Sequence, residues 1–309
     1  MSKTITQEQL ISHTISTAAV EEITQKIAAR IKQNGDKSYT TVTQQLEFLD
    51  QLKQFDFGRF LLQNQGINGY WTHYMLTHPW SSQHTEKPLT SLENFILNRL
   101  PIMLATQERF EIFLRENQKQ VKNAARLACI PCGMMGELLY LDYDNITNIE
   151  LIGIDYDPDT LKDAKSLAEK QGLIHLTKLM QGNAWHLNLE NAFDLITSNG
   201  LNIYEPDIAK VTELYRQFYK ALKPNGKLVT SFLTYPPILT DKCEWDMSKV
   251  NQEDLLLQRI VLVDIIEVKF QSFSSTEQTK QQLESLGYCN IEFIYDKARI
   301  FPTVVATKK

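Results

Sequence analysis

Cysteine is scarce in this 309-residue chain. Its four copies, Cys129, Cys132, Cys243 and Cys289, are too few and too scattered to frame a small secreted disulfide scaffold. Cations are not in excess. A formal charge of -5 leaves no surplus to neutralise a phosphate backbone, which argues against nucleic acid as the main partner. No stretch approaches the ~18 apolar residues that span a bilayer. The polar start MSKTITQEQL also lacks the apolar core of a signal peptide. The chain therefore reads as cytoplasmic, with no membrane partner. Also missing are a G-x-G-x-x-G fingerprint, a P-loop, a G-x-S-x-G elbow, an H-E-x-x-H pair and any metal-ligand spacing. Rossmann dehydrogenase, P-loop, α/β-hydrolase and zinc-protease chemistry are thus left without a motif.

What is present divides into two textures. From Gln7 to about Gln120, apolar residues recur three and four apart over 18–33, 44–54, 92–104 and 107–117, which predicts helices. Between them, NQGINGYWTHYMLTHP (64–79) is dense in glycine, aromatics and histidine. This half, residues 1–120, is expected to form a helical cap or lid.

After Lys122, short apolar runs alternate with amphipathic stretches, the pattern of a parallel sheet with crossover helices. Strands are expected over 127–130, 149–154, 176–180, 193–197 and 227–233, with a terminal hairpin of 291–295 and 303–306. Asp157 and Pro158 suit the start of a helix that stops at Gly172. A second helix is expected over 206–222, and a third between Ser275 and Gly287. Residues 121–309 thus read as one α/β domain.

Ligands of an open parallel sheet sit beyond the carboxyl ends of its strands, so the residues just after each strand are the informative ones. Pro131, Cys132 and Gly133 make a tight turn after the first strand, into a helix beginning near Met135. Asp155 ends the second strand, where a carboxylate can accept both hydrogen bonds of a ribose diol. Tyr156 beside it offers a flat face for a ring. Asn183, with Ala184 and Trp185, follows the third strand and can accept from an adenine amino group. Ser198, Asn199 and Gly200 follow the fourth. Each position has an ordinary structural reading as a cap or turn, but their order and spacing act together.

Residues 124–233 resemble the core of the class I S-adenosylmethionine-dependent methyltransferases. ACIPCGMMGELL is similar to that family's first motif and ELIGIDYDPDTL to its second. LMQGNAWHL is similar to the third, FDLITSNGLNIYE to the fourth, and LKPNGKLVTSFL to the turn and strand that follow. STEQTKQQLESLGYCNIEFIYD and FPTVVATKK resemble the last helix and strands. The resemblance implies a seven-stranded Rossmann-like sheet, mostly parallel with an antiparallel last strand, and S-adenosyl-L-methionine as cofactor. It places Asp155 on the ribose, Tyr156, Asn183 and Ala184 around adenine, and the turn from Pro131 to Met135 near the methionine moiety.

The first motif departs from the family pattern. Cys129 replaces its acid, and Pro131 and Met135 stand where glycines are common. The acid's role at the cofactor's ammonium end must then pass to backbone carbonyls around Asn199 and Gly200, or to an N-terminal residue. In the N-terminal half, Tyr70, Trp71, His73 and Tyr74 read either as aromatics packed inward or as a lid around substrate and cofactor carboxylate. Trp245 reads in the same two ways. If an acceptor must lose a proton, His73, His186, Tyr204 and Glu205 are the candidate bases. The expected function is methyl transfer to a small-molecule acceptor, by a chain that can form a homodimer. Two alternatives stand beside it: a module that binds the cofactor or a nucleoside without transfer, and a thiol-disulfide oxidoreductase using Cys129 and Cys132.

Overall fold

The helical periodicity of the N-terminal half becomes a set of short helices in the computed structural model, which describes residues 17–81, 88–269 and 272–309. These are α1 (Thr17–Asn34), α2 (Val42–Leu52), α3 (Asp56–Asn64), α4 (Gly69–Ser81), α5 (Ser91–Asn98) and α6 (Pro101–Gln118). The helical expectation for residues 7–16 lies outside the described residues. Thr41 starts α2 with a capping box closed by Gln44. The single helix expected over 92–104 is split into two. Leu100 precedes Pro101, which lacks an N–H and disfavours the helical conformation just before it, so α5 stops and α6 begins at the proline. The aromatic run 69–74 opens α4.

Beyond residue 122 the expected alternation appears as β1 (Arg126–Cys129), α7 (Gly136–Leu139), β2 (Glu150–Asp155), α8 (Pro158–Lys170), β3 (Thr177–Gln181), β4 (Phe193–Ser198), α9 (Ile208–Ala221) and β5 (Leu222–Ser231). Asp157 caps α8 by accepting the Asp159 N–H at 2.9 Å. Strand β5 begins earlier than expected. Its pairing with β4 passes from Phe193↔Leu222 to Leu195↔Lys227, so Pro224, Asn225 and Gly226 form an irregularity within the strand, with Asn225 left-handed at φ 64°.

Residues 252–266, which no periodicity singled out, form α10 (Gln252–Gln258) continuing into a π-helix (Arg259–Ile266). Then come α11 (Thr276–Ser285), capped by Ser275, and the antiparallel strands β6 (Tyr288–Ile294) and β7 (Thr303–Lys308).

The seven strands lie in the order β3-β2-β1-β4-β5-β7-β6, with β7 antiparallel to both neighbours. Alternate residues of the central strands face opposite sides. Leu127, Leu151, Leu195 and Val229 pack with Ala164, Leu167 and Ala168 of α8. Ala128, Ile152, Ile196 and Leu228 pack with Val211, Leu214 and Phe218 of α9. The register sets Cys129 between Gly153 of β2 and Thr197 of β4, which aligns the carboxyl ends of the three strands.

Two compact units result. Of the described residues, one holds those up to Leu104 together with Asn251–Lys269, and the other holds Ala105–Val250 with residues 272–309. The division expected at residues 120 and 121 therefore moves into α6, and a later segment returns to the helical unit. The reason is chemical. RIVLVDII buries Ile260, Val261, Leu262, Ile265 and Ile266 in the core of α1–α5, each side chain contributing roughly 1.5–3 kcal/mol. Asp264 accepts from Lys37 Nζ at 2.6 Å and from the Tyr39 hydroxyl at 3.1 Å, and Asp254 accepts from Arg99 Nη2 at 2.6 Å. Among the described residues no helix is long and apolar enough to cross a membrane.

Candidate functional site

The turn after β1 is held by β2. The Cys132 N–H donates to the Ile154 carbonyl at 2.9 Å, and the Gly133 N–H donates to Asp155 Oδ2 at 3.0 Å. Gly133 is left-handed at φ 49°, and so is Met135 at φ 61°. The conformation for which glycine is common is thus kept, with a methionine adopting it. Met135 does not line a site with its side chain, which is fully buried among Phe113, Leu138 and Leu151.

Asp155 is fixed at both oxygens. Its Oδ1 accepts from the Asp157 N–H at 3.1 Å while Oδ2 holds Gly133. Each carboxylate oxygen keeps a further lone pair, which is what a ribose diol needs. Burial raises its pKa above the ordinary aspartate value, against the pull of these backbone donors. Tyr156 is 43% exposed beside it. Asn183 is oriented differently from expectation. Its side-chain oxygen accepts the Trp185 N–H at 2.9 Å and caps a short 3-10 turn. The amide NH2 is therefore the end left to address a ring, as a donor. Ala184 is buried, and the Trp185 indole donates to the Lys210 carbonyl at 2.9 Å, tying this turn to α9.

At the end of β4, Ser198 is buried and its carbonyl accepts from the Thr230 hydroxyl at 3.0 Å. Asn199 and Gly200 follow, Gly200 being left-handed at φ 88°. Here the structure brings in residues that strand-end reasoning missed. Asn199 Nδ2 donates to Glu137 Oε1 at 2.9 Å, and the Cys129 thiol lies 3.6 Å from Glu137 Oε2. Asn117 of α6 donates to the Glu137 carbonyl and to Thr197 Oγ1, each at 3.1 Å. Arg109, also of α6, donates to Ser231 Oγ at 3.3 Å and lies over the Phe301 ring at 4.3 Å. Glu137 is raised by burial above the usual carboxylate range. Arg109 is brought down to about 10 by the same cause, with Glu137 pulling it back. The available sequence signal was one acid within the apolar run from Ile130 to Leu139.

The thiol-disulfide alternative is not supported by these surroundings. Cys129 and Cys132 are free, buried, and both pushed well above the ordinary thiol value by desolvation first. A redox nucleophile needs the opposite shift.

The candidate bases also acquire settings. Tyr204 is partly exposed, yet desolvation pushes its hydroxyl up to about 12, with Arg109 drawing it down. Glu205 accepts from the Asp207 N–H at 2.9 Å and pairs with Lys210 at 3.5 Å, which makes it part of the α9 start. His186 is exposed on the 3-10 turn. His73 is half-buried on α4, where its carbonyl accepts from Thr77 Oγ1 at 2.8 Å. Trp71 stacks on Phe57 at 5.2 Å and Tyr74 donates to Glu93 at 3.0 Å, so both serve the helical unit's core, with Tyr70 edge-on to Trp71 at 5.1 Å. Trp245 is buried in the second unit, and its indole N–H has no partner.

Known proteins resemble this chain in sequence and in fold. Residues 131–282 match a family model described as a methyltransferase domain. Over 150 residues the chain is 28% identical to the demethylmenaquinone methyltransferase of Lactiplantibacillus plantarum, an alignment covering 47% of this chain and 62% of that protein. The chain thus spans less than two thirds of that curated relative's length. A crystal structure of a possible exported protein from Bordetella parapertussis superposes with a TM-score of 0.90, at 41% identity over 99% of both chains. The magnesium protoporphyrin IX methyltransferase of Synechocystis PCC 6803, crystallised with bound S-adenosylhomocysteine, superposes with a TM-score of 0.50 at 11% identity. That match covers 78% of this chain and 99% of the other, and shows the shared fold.

Proposed function

This chain belongs to the class I S-adenosylmethionine-dependent methyltransferase family, and from that premise we propose that it transfers the cofactor's methyl group to a small-molecule acceptor. One observation carries the reading: the Asp155 carboxylate at the end of β2, fixed by the Gly133 and Asp157 N–H groups with lone pairs still to offer. Tyr156 is next in the chain and Asn183 follows the neighbouring strand β3, and in this reading both meet the adenine. When bound, the cofactor supplies a methyl group on a positively charged sulfur.

The chain's own contribution is then to hold and align, a proximity effect worth up to ~7–11 kcal/mol. Tyr204, pushed up to about 12 by desolvation, keeps its proton at neutral pH and is no base there. Glu205 is committed to Asp207 and Lys210. Neither is prepared for proton abstraction, which leaves His73 and His186 as the candidates where an acceptor must lose a proton.

The acidic balance of the chain favours a small, partly apolar acceptor over a nucleic acid. A precedent for an apolar acceptor is the 28%-identical relative named for demethylmenaquinone. Acceptor choice is expected to reside outside the sheet, because one sheet serves many acceptors and specificity resides in added segments. A cytoplasmic location is part of the same proposal. Calorimetry of the full chain with S-adenosylmethionine and S-adenosylhomocysteine tests the binding step, and heat from neither ligand overturns it. Screening metabolite mixtures for products labelled from the cofactor tests transfer. Binding without any labelled product would leave a cofactor-binding module in its place.

A further inference from the structure

We propose that Glu137 and Arg109 form a clamp for the zwitterionic amino-acid end of the cofactor, Glu137 receiving its α-ammonium and Arg109 its α-carboxylate. The assignment rests on the cofactor reading above and adds the residues for the end of the molecule that the first motif left without an acid.

Both groups are buried, Arg109 at 5% and Glu137 at 8% exposure. Neither takes part in an ion pair within 4.0 Å among the described residues. Isolated charges are costly to hold away from water and call for a partner of opposite sign. The hydrogen bonds present do not use up what they offer. Glu137 receives one amide N–H from Asn199 and one long thiol contact from Cys129. Arg109 has five N–H donors; it gives one to Ser231, and its Nε has no partner. Asn199 Oδ1 is likewise buried without a donor.

The surpluses match a zwitterion and are arranged for one. Acceptors gather on the Glu137 side, where the carboxylate and Asn199 Oδ1 can take the three N–H bonds of an ammonium. Donors gather at Arg109, whose planar fork suits a carboxylate. One turn joins the two. Asn199 reaches Glu137 at 2.9 Å, and the next residue, Gly200, lies so close to Arg109 that a Cβ there would stand 3.6 Å from Nη1. This turn follows β4, at the carboxyl edge where Asp155 also lies. The Glu137 carboxylate returns to the Cys129 thiol, so the acid stands at the end of β1 while its backbone belongs to α7. It supplants the backbone carbonyls and N-terminal residue to which the sequence assigned this role. The raised Glu137 and lowered Arg109 are what two buried charges awaiting a counterpart would show.

The test compares two ligands on the full chain by calorimetry: S-adenosylhomocysteine, which carries the amino acid, and 5′-methylthioadenosine, which lacks it. The unaltered chain should bind the first about tenfold or more tightly than the second. Glu137→Gln should lose about tenfold in affinity for S-adenosylhomocysteine while 5′-methylthioadenosine changes by less than about twofold, and Arg109→Lys should do the same. Equal binding of the two ligands by the unaltered chain overturns the clamp whether or not a variant folds. Equal weakening of both ligands in the variants, or of neither, overturns it as well. If the unaltered chain binds neither ligand, the cofactor reading itself falls; if it binds both equally, only the clamp does.

Discussion

The Cys129 thiol faces Glu137 Oε2 at 3.6 Å, so β1 ends on a neutral group directed at a carboxylate carried eight residues further along the chain. Burial is the largest influence on Glu137 and raises it above the ordinary value of 4.5. A carboxyl group raised on folding contributes stability that is present below its unfolded pKa and is lost as pH rises through its folded pKa. Glu137→Gln removes that loss. Thermal unfolding of the ligand-free protein should therefore show the variant more stable than the parent near pH 8, with the difference closing below about pH 4.5.

Placing an acid at the end of β1 should be costly while Glu137 remains. In Cys129→Asp two buried carboxylates would share the space of a 3.6 Å contact, and they cannot both ionise. Denaturant unfolding near pH 7 is expected to show a loss of about 2–5 kcal/mol. Cys129→Asp combined with Glu137→Gln should recover most of it. A double variant no better than the single would show that the two groups do not share one location.

Restoring a glycine at position 135 should not help the fold. Glycine relieves the left-handed φ of 61°, worth roughly 1–2 kcal/mol. It also deletes a fully buried methionine side chain, which costs roughly 2–5 kcal/mol. Packing outweighs strain, so Met135→Gly is expected to lower the midpoint of thermal unfolding.

Asp155→Ala removes the acceptor for two backbone N–H groups and, with it, the ribose contact we propose. Loss of charge-assisted bonds of this kind is worth about 1.5–3 kcal/mol. Affinity for S-adenosylhomocysteine should fall roughly ten- to hundredfold by calorimetry. Asp155→Asn, which keeps one acceptor, should fall less.

The cysteines should divide by exposure when treated with iodoacetamide. Cys243 and Cys289 are only partly buried, whereas Cys129 and Cys132 are buried and shifted away from the thiolate. Mass spectrometry at pH 8 should find the first pair modified in the native protein and the second only after denaturation. Rapid native labelling of Cys129 or Cys132 would revive the redox alternative.

The strand end at Asp155, where we propose the cofactor's ribose is held, was legible because strand ends are marked locally: an apolar run stops, and a cap residue and proline follow. Asp157 and Pro158 do start α8 as their chemistry requires. Glu137 was not legible, since its meaning comes from the side chain folding back on Cys129 and across to Asn199, 62 residues away. RIVLVDII, which no periodicity had set apart, joined the core of α1–α5 instead of the sheet, because its apolar side chains are buried there.

From the sequence alone came the periodicities, the capping residues and the places where strands end, because each depends on a few neighbouring side chains and the backbone geometry they favour. Tertiary structure decided which polar atoms were already spent. It gave the Asn183 oxygen to Trp185 and Glu205 to Lys210, and put the Met135 side chain in the core. It also decided which charges were left over. Arg109 and Glu137 come together only when α6, α7 and the end of β4 pack on one sheet. Burial can be read along a chain, but the partner of a buried charge depends on which segments meet in space.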